Sequence, residues 1–197
     1  FSTVLDSWKV TNQSRTGRCW MFAGLNLIRS ETRNELNLKE FEFSQSYLMF
    51  WDKLERANFI LEAIIETAHL PVDDRTVAWL LQRPIEDGGQ WDMFVSLVNK
   101  YGLVPKTVMV ETDSSSNSSR LNTMLNYQVR QGSKLIRDMY SSEAGLDELR
   151  KVKTEVVSTI FQMLCIHLGT PPSSFFWQWK DKDDEFRRDG NISPTEF

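Results

Sequence analysis

The residues best suited to chemistry lie near the start of the chain, where Gln13 precedes Cys19 by six positions and a helical pattern begins at the cysteine. The positive end of a helix and its unpaired N–H groups stabilise a thiolate, the form of cysteine that attacks carbonyl carbons. A glutamine amide can donate a hydrogen bond to the negative oxygen that then forms, which lowers the barrier by about 2.7–4 kcal/mol. The spacing therefore predicts Cys19 as a nucleophile and Gln13 as an oxyanion-hole donor.

This run resembles the nucleophile region of papain-like cysteine peptidases. The shared residues, in chain order, are Gln13, Gly17, Cys19 and Trp20. The usual run has Ser or Ala before the nucleophile and a second Cys three residues before it, whereas this chain has Arg18 and Thr16 at those positions. The two departures and three further runs resemble the bleomycin hydrolase branch, the cytosolic aminopeptidases of the papain fold. Those runs are Ser44–Leu48, Glu86–Asp92 and Pro105–Lys106.

The resemblance implies a fold and an activity that the composition alone does not establish. The fold is of the α+β class and papain-like, and this chain is expected to form mainly its helical half, with an inserted helical pair and a short β-hairpin. Residues 1–106 are assigned to the helical half with the nucleophile helix, and 107–197 to the insertion and hairpin. The implied activity is hydrolysis of peptide or amide bonds in substrates with a free N-terminus. The implied assembly is a homo-oligomer, a hexamer by resemblance, with neither cofactor nor metal.

Trp20 and the run Gly88, Gly89 and Gln90 are the predicted substrate-binding residues. In papain-like enzymes the matching glycines leave backbone groups exposed, so that an extended peptide pairs with them as an added strand. An ordinary loop is the alternative for the glycines. For Trp20 the alternatives are core packing and shielding of the thiol from water. A side chain at Gly89 is expected to block the cleft.

The catalytic base is the missing part of this assignment. Papain-like sites take a His, and then an Asn in an Asn-Ser-Trp-Gly run, from strands far downstream of the thiol. Only His69 and His167 occur in this chain. His69 is expected at a helix end, and His167 lies on a helical apolar face with no Asn-Ser-Trp after it. We therefore expect the base and the Asn to lie beyond Phe197, and this chain alone to lack turnover.

The cysteines indicate a reducing compartment. Cys19 lies in the predicted site and Cys165 in an apolar helical stretch, so the two are poor partners for a disulfide. By resemblance, secreted papain relatives commonly join the positions of Thr16 and Glu86 by a disulfide, and both halves are replaced here. Disulfides do not persist in a reducing compartment, and the predicted location is the cytoplasm.

Composition argues against a nucleic-acid-binding protein and against a membrane-spanning one. The 197 residues carry a formal net charge of -4, and a chain with a pI near 5.3 lacks the basic stripes that nucleic-acid binders show. No apolar run approaches the roughly 18 residues of a membrane span. The 41% hydrophobic content fits one globular domain, or one domain with an insertion. Because the chain starts at Phe1, an upstream targeting segment is left open.

Hydrophobic periodicity predicts helices over most of the chain. The predicted spans are 19–35, 47–68, a short helix capped by Asp73 or Asp74 and running through Leu81, 91–101, 120–140 and 146–168. The first of these is predicted to be the central helix. The Ser- and Asn-rich segment 113–119 is predicted to be an exposed loop or linker. The aromatic run 175–180 predicts a strand, with 181–190 as the turn region of a hairpin.

Two alternative hypotheses remain open. Near the C-terminus, counting from Glu185, the spacing of an EF-hand calcium loop is matched at Asp189, Gly190, Ile192 and Glu196, although Glu185 is a poor first ligand. Arg187 puts a cation where a carboxylate is needed, so the competing interpretation is a charged hairpin turn followed by a helix start at Ser193. For the chain as a whole, the alternative to a cysteine aminopeptidase is a non-catalytic helical module for interaction or oligomerisation.

Overall fold

The computed structural model describes residues 9–197. Within those residues the chain forms seven helices and one antiparallel pair of strands. In chain order the elements are α1 (Cys19–Glu35), α2 (Gln45–Glu66), α3 (Arg75–Gln82), α4 (Trp91–Tyr101), α5 (Asp113–Ser116), α6 (Ser119–Ser141), α7 (Leu146–Leu168), β1 (Phe175–Lys180) and β2 (Phe186–Ile192). None of the helices in this part of the chain has both the length and the apolar character needed to cross a membrane.

Helix α2 is the centre of the packing. It contacts α1, α3, α4, α6 and α7, and its first turns are buried, with at most 2% exposure at Tyr47, Leu48, Met49 and Phe50. The helix begins two residues earlier than predicted because Ser44 is its N-cap, and the Ser44 Oγ accepts a hydrogen bond from the Tyr47 backbone N–H at 3.1 Å. Among the described helices α2 therefore has the most neighbours, and the assignment of α1 as the central helix stays a prediction.

Helices α6 and α7 form the predicted helical pair, and both pack against α2. Apolar residues at helical spacing are buried on each helix. They are Leu121, Leu125, Val129 and Ile136 on α6, and Leu149, Val156, Ile160 and Leu164 on α7. Each such side chain contributes about 1.5–3 kcal/mol when it is fully buried, so the pair shares a core with α2. The division of the chain at residue 106 stays a prediction.

The segment 113–119 is not the exposed loop that its composition predicts. It contains α5, and Thr112 starts that helix with a capping box: the Thr112 Oγ1 accepts from the Ser115 backbone N–H, and the Ser115 Oγ accepts from the Thr112 N–H. Ser115 and Ser118 are both buried, and the Ser115 Oγ also donates to Glu111 at 2.6 Å. Short polar side chains that find partners in this way order a segment whose composition alone indicates a loop.

Strands β1 and β2 form the predicted hairpin, but its turn is shorter than predicted. The second strand begins at Phe186, whereas the predicted turn region extends to Gly190. The buried Asp181 closes the turn, because its Oδ1 accepts from the backbone N–H groups of Asp183 at 2.9 Å and Glu185 at 3.0 Å. The EF-hand hypothesis is wrong for the same reason, since most of the predicted calcium loop is a strand.

Aromatic packing anchors the hairpin to the rest of the protein. Trp177 is 8% exposed, and its ring centroid lies 6.2 Å from that of Phe41 and 5.2 Å from that of Phe197. The Trp179 Nε1 donates a hydrogen bond to the Leu36 carbonyl at 3.1 Å. The aromatic run that predicts a strand therefore also supplies its contact with the helical body.

The stretch after β2 forms a turn in which the Ser193 carbonyl accepts from the N–H groups of Glu196 at 3.1 Å and Phe197 at 3.3 Å. The helix start predicted at Ser193 stays a prediction. The Ser193 backbone N–H donates to the Glu196 Oε2 at 2.7 Å, which is one half of a capping box. The turn packs against the end of α4, where a Cβ on Gly102 would lie 1.9 Å from the Pro194 carbonyl oxygen. Gly102 also has a φ of 71°, which favours glycine, and the predicted stop of α4 at this residue is confirmed.

Candidate active site

Cys19 occupies the first position of α1, and it is exposed. The N-cap residue Arg18 makes no side-chain hydrogen bond to the helix, and the first turn contains no acidic residue. The positive end of this helix is therefore not neutralised locally. The Arg18 carbonyl accepts from the N–H groups of Met21 and Phe22, both at 3.0 Å. The Cys19 N–H itself has no partner within residues 9–197, so it is available beside its own sulfur.

Gln13 lies on the stretch that leads into α1 and is half-buried. Its backbone carbonyl accepts from the Thr16 Oγ1 at 2.6 Å, which closes a tight turn. Its side-chain Oε1 is buried without a hydrogen-bond partner in the described part of the chain. Buried polar atoms in proteins usually have a partner, but the unpaired atom here is an acceptor. The oxyanion-hole role requires the amide nitrogen of Gln13 to donate, so that role stays a prediction.

A buried ion pair holds the loop that precedes α1. Arg18 is 1% exposed, and its two terminal nitrogens donate to the two Glu111 oxygens at 3.2 and 3.0 Å. The Arg18 Nε donates to the Thr16 Oγ1 at 3.1 Å. Because two parallel hydrogen bonds join the guanidinium to the carboxylate, the Arg18 side chain is held in one orientation and its charge is neutralised. The Arg15 N–H also donates to the Ser116 carbonyl at 2.9 Å, which ties the loop to α5.

The predicted glycine loop lies against the tryptophan that follows the cysteine. The Trp20 Nε1 donates to the Asp87 carbonyl at 2.7 Å. A Cβ on Gly89 would lie 2.5–2.8 Å from three indole atoms, so a side chain there must displace Trp20. A Cβ on Gly88 would meet nothing within 4 Å, and the Gly88 carbonyl accepts from Arg56. The backbone N–H and C=O of Gly89 are bonded to no residue that the structure describes.

Gln90 is exposed at the N-cap of α4 and makes no side-chain capping bond. It lines a surface cavity of about 680 Å³, together with the exposed aromatic residues Phe59 and Trp79. The predicted substrate-binding residues are thus adjacent to one another, with Trp20 packed on the glycine loop and Gln90 following it. Their contact with a substrate stays a prediction.

Asp87 joins the glycine loop to three other parts of the molecule. One carboxylate oxygen accepts from the Lys53 Nζ of α2 at 2.6 Å and from the Asn122 Nδ2 of α6 at 2.8 Å. The other accepts from the Gly17 backbone N–H at 3.1 Å and from the Ser118 Oγ. The Lys53 side chain is 0% exposed, so this ion pair lies inside the protein.

The protonation of Asp87 follows from these contacts. Burial alone raises the pKa of its carboxyl, but the charge of Lys53 and the hydrogen bonds from Lys53, Ser118 and Asn122 outweigh burial and hold that pKa well below its usual range. Burial also lowers the pKa of the Lys53 ammonium, against the attraction of Asp52 and Asp87. The Asp87 carboxyl is therefore ionised at neutral pH.

We expect the stabilisation by Asp87 to be lost only in acid. A carboxyl whose pKa is lower in the folded than in the unfolded protein stabilises the fold at any pH above its pKa in the unfolded protein, which is about 3.9 for Asp. This stabilisation is lost as the pH falls toward the pKa in the folded protein. Asp87→Asn should lower the urea midpoint at neutral pH, and its difference from the unmodified chain should shrink between about pH 4 and pH 2. A midpoint difference that does not change with pH would contradict this.

Neither histidine makes a hydrogen bond to Cys19 in the described structure. His69 is exposed just after α2, and its Nδ1 lies 3.1 Å from the Glu66 carbonyl oxygen. His167 is half-buried near the end of α7, and its Nδ1 lies 2.9 Å from the Ser114 Oγ. Both rings therefore lie beside other groups, and the prediction that neither residue is the catalytic base stays a prediction.

Similarity to known proteins extends over the whole chain. The model of the Peptidase C1-like family matches residues 1–197. The chain belongs to the Peptidase C1-like family. Aminopeptidase C of Listeria innocua is 46% identical over 200 residues, which cover 100% of this chain and 44% of the Listeria protein. Bleomycin hydrolase of Oryctolagus cuniculus is 44% identical over 190 residues, which cover 95% of this chain and 69% of the rabbit sequence. The predicted resemblance to the bleomycin hydrolase branch is confirmed.

A solved structure of this kind has the same fold. PepW of Lactobacillus rhamnosis HN001 superposes with a TM-score of 0.95 at 41% identity, over 99% of this chain and 44% of the PepW chain. The predicted α+β, papain-like class is confirmed, with the described residues forming a mainly helical part and one hairpin. This member of the Peptidase C1-like family thus spans 44% of the length of the aminopeptidase C that it matches.

The sequence did not predict the ion pairs Arg18–Glu111 and Lys53–Asp87 of this peptidase-family chain. One signal was available for Lys53, which lies on the buried face of α2, four residues after Met49 and four before Ala57. A lysine on such a face needs a buried partner. That partner, Asp87, is 34 residues away, and no local pattern identifies it.

Proposed function

We propose that this chain carries the nucleophile of a cysteine aminopeptidase of the bleomycin hydrolase type. Such an enzyme hydrolyses peptide or amide bonds in substrates that have a free N-terminus. The observation that carries the proposal is the exposed Cys19 at the uncapped start of α1, where its backbone N–H has no partner in the described residues. The names of the relatives, aminopeptidase C and bleomycin hydrolase, support the reaction class.

In this mechanism the Cys19 thiolate attacks the carbonyl carbon of the scissile amide. Negative charge develops on the carbonyl oxygen, which accepts hydrogen bonds from the Cys19 N–H and the Gln13 amide. The C–N bond then breaks, the amine departs with a proton, and the acyl group remains on sulfur as a thioester. Attack by water releases the acid and regenerates the thiolate.

A proton must pass from the thiol to a base and from that base to the leaving amine. We propose that this base is the downstream His which the papain-like resemblance implies, and not His69 or His167. Both of those rings are engaged elsewhere, with Glu66 and Ser114. The chain of 197 residues is accordingly expected to hydrolyse no substrate by itself.

The substrate backbone is proposed to pair with Gly89. Its free N–H and C=O support this assignment, because an extended peptide satisfies one donor and one acceptor on such a residue. Gly88 and Gln90 are proposed to flank the bound peptide. Trp20 is proposed to support the loop by packing and to limit the access of water to the thiolate.

We also propose that the whole protein acts in the cytoplasm and assembles as a hexamer. A reducing compartment is supported by the two free cysteines, Cys19 and Cys165, and by the absence of cysteine at positions 16 and 86. The hexamer, and a contribution of residues 107–180 to its contacts, are supported by the family resemblance alone.

A chimera tests the proposed function. Residues 1–197 replace the matching 44% of Listeria innocua aminopeptidase C, and hydrolysis of an aminoacyl substrate is measured with a free and with an acetylated N-terminus. We expect the chimera to hydrolyse the free substrate and not the acetylated one. A folded chimera that hydrolyses neither substrate would contradict the proposal and support a non-catalytic helical module.

Replacing Gln13 by alanine is expected to lower kcat of the chimera by about 10²–10³-fold, because one oxyanion donor is lost. KM should change little, since the oxygen carries its charge only in the transition state. Gln13→Glu is the matched variant: it keeps the size of the side chain but has no N–H to donate, so the loss should be at least as large. Half or more of the original kcat in Gln13→Ala would show that the amide has no such role.

Replacing Gly89 by alanine is expected to lower kcat/KM by about tenfold or more, as for the loss of one or two hydrogen bonds to substrate. The new Cβ must displace the Trp20 ring that lies 2.5 Å away. Gly88→Ala is the comparison variant, and its effect should be clearly smaller because its Cβ points into open space. Equal effects of the two substitutions on kcat/KM would contradict the assignment to Gly89.

A further inference from the structure

We propose that Asp87 is a positioning residue for the nucleophile. With Lys53 it forms a non-covalent clamp, here called the Asp87–Lys53 clamp. The clamp holds the Gly17 backbone before Cys19 and the Trp20 side chain after it against the glycine loop. This inference rests on the proposed function of Cys19. It adds that the geometry of the thiol depends on a carboxylate that does not itself contact the substrate.

The first observation is that Asp87 binds residues on either side of the cysteine. The Gly17 N–H, two positions before the cysteine, donates to the Asp87 carboxylate at 3.1 Å. The Trp20 Nε1, one position after it, donates to the Asp87 carbonyl at 2.7 Å. Asp87 directly precedes Gly88. It therefore sets the distance between the segment that leads into Cys19 and the glycine backbone proposed to bind substrate.

The second observation is that the Asp87 carboxylate is fully engaged. An ionised carboxylate accepts about four hydrogen bonds, and this one has donors from Lys53, Asn122, Gly17 and Ser118. The side chains of Lys53 and Asp87 are 0% and 10% exposed. Because the Asp87 carboxylate has all its hydrogen bonds and an ionic partner, it is held in one orientation. Its bond to the Gly17 N–H then fixes the position of the Gly17 backbone.

The third observation is how closely the two segments approach each other. A Cβ on Gly17 would lie 3.1 Å from the Asp87 Cβ, so the two segments are in close contact at this point. The clamp therefore acts where the loop before Cys19 lies directly against the glycine loop.

The test measures the rate at which iodoacetamide alkylates each cysteine, by peptide mass spectrometry, between about pH 5 and pH 8. The chains compared are the unmodified chain, Asp87→Asn and Ile64→Ala, each at a temperature where its circular dichroism is native. Ile64 is 0% exposed in α2, and its truncation destabilises the fold without touching the clamp. Cys165 serves as the internal reference in every chain.

We expect Asp87→Asn to slow the alkylation of Cys19 below pH 7 by about tenfold, the effect of losing one charge-assisted hydrogen bond. Ile64→Ala should leave the rate and its pH profile unchanged. A native-like Asp87→Asn chain with the original Cys19 rate, or an equal slowing in Ile64→Ala, would overturn the clamp and leave the proposed function standing. If Cys19 of the unmodified chain reacts no faster than Cys165, the proposed function and the clamp both fail.

Hydrogen exchange in the unmodified chain is a second test of the clamp, and it does not require the Asp87→Asn variant to fold. In the unmodified chain, the Gly17 amide and the Trp20 indole N–H should exchange more slowly than in an unstructured peptide, because both are donors to Asp87. Exchange of both groups at the unstructured rate would overturn the clamp.

Discussion

Replacing Cys19 by alanine is expected to lower kcat of the Listeria chimera by at least about 10⁴-fold, the scale seen when a covalent nucleophile is removed. Cys19 is the only thiol between residues 9 and 35, and it is exposed at the uncapped first position of α1. The measurement is the steady-state rate on an unblocked aminoacyl substrate, with single-turnover kinetics to separate acylation from product release.

Cys165→Ala is the matched control for that prediction. Cys165 is half-buried on α7 and free, so its removal should leave kcat within about twofold of the starting chimera. Circular dichroism and urea midpoints establish that both variants are folded. If the Cys19→Ala chimera retained a tenth of the activity, Cys19 would not be the nucleophile.

Replacing Lys53 by methionine is expected to destabilise the chain by about 3–5 kcal/mol. Methionine fills a similar volume, but the Asp87 carboxylate is left inside the protein without its ionic partner, which lies at 2.6 Å in the unmodified chain. Removing one partner of a buried ion pair lowers the free energy of unfolding by far more than the intact pair contributes to it, because the remaining charge stays desolvated. Urea unfolding followed by circular dichroism gives the free energy directly.

The double variant Lys53→Met/Asp87→Asn should recover a substantial part of that loss, because no uncompensated charge remains. Lys134→Met is the control substitution, since Lys134 pairs with Asp138 on the surface of α6, where the two side chains are 76% and 58% exposed. Its effect should stay within about 1 kcal/mol. Additive losses in the double variant would show that Lys53 and Asp87 are not coupled.

Local signals predicted most of the helical framework. The bounds of α1, α4 and α7 follow the sequence prediction, because each end is fixed by neighbouring residues: an apolar period that starts at Cys19, Gly102 after α4, and Gly169 after α7. The position of Cys19 at the start of α1 was likewise predictable from residues close in sequence, and the catalytic roles of Gln13 and Cys19 stay predictions.

Composition misled the prediction where side chains formed specific bonds. The serines of segment 113–119 indicate a loop, yet Thr112, Ser115 and Ser118 are bonded to particular partners and order the chain. The hairpin turn was predicted too long for a similar reason. The charged residues 187–189 have the composition of a turn, but backbone pairing with β1 makes them part of a strand.

The buried charges lay beyond sequence reasoning because they depend on contacts between distant segments. Arg18 meets Glu111 across 93 residues, and Asp87 meets Gly17 across 70. Gly17 bonds through its backbone N–H, and Arg18, Glu111 and Asp87 are each an ordinary charged residue in the sequence. Only the packing of α2 and α6 around the glycine loop shows that these charges are enclosed and paired.

The rate of Cys19 alkylation as a function of pH tests the central claim most directly, since it reports on the thiolate in the unmodified chain without any assay of turnover. The account predicts that Cys19, which is exposed at the uncapped start of α1, reacts with iodoacetamide much faster below pH 7 than the half-buried Cys165. Equal and slow alkylation of both cysteines across that range would contradict it.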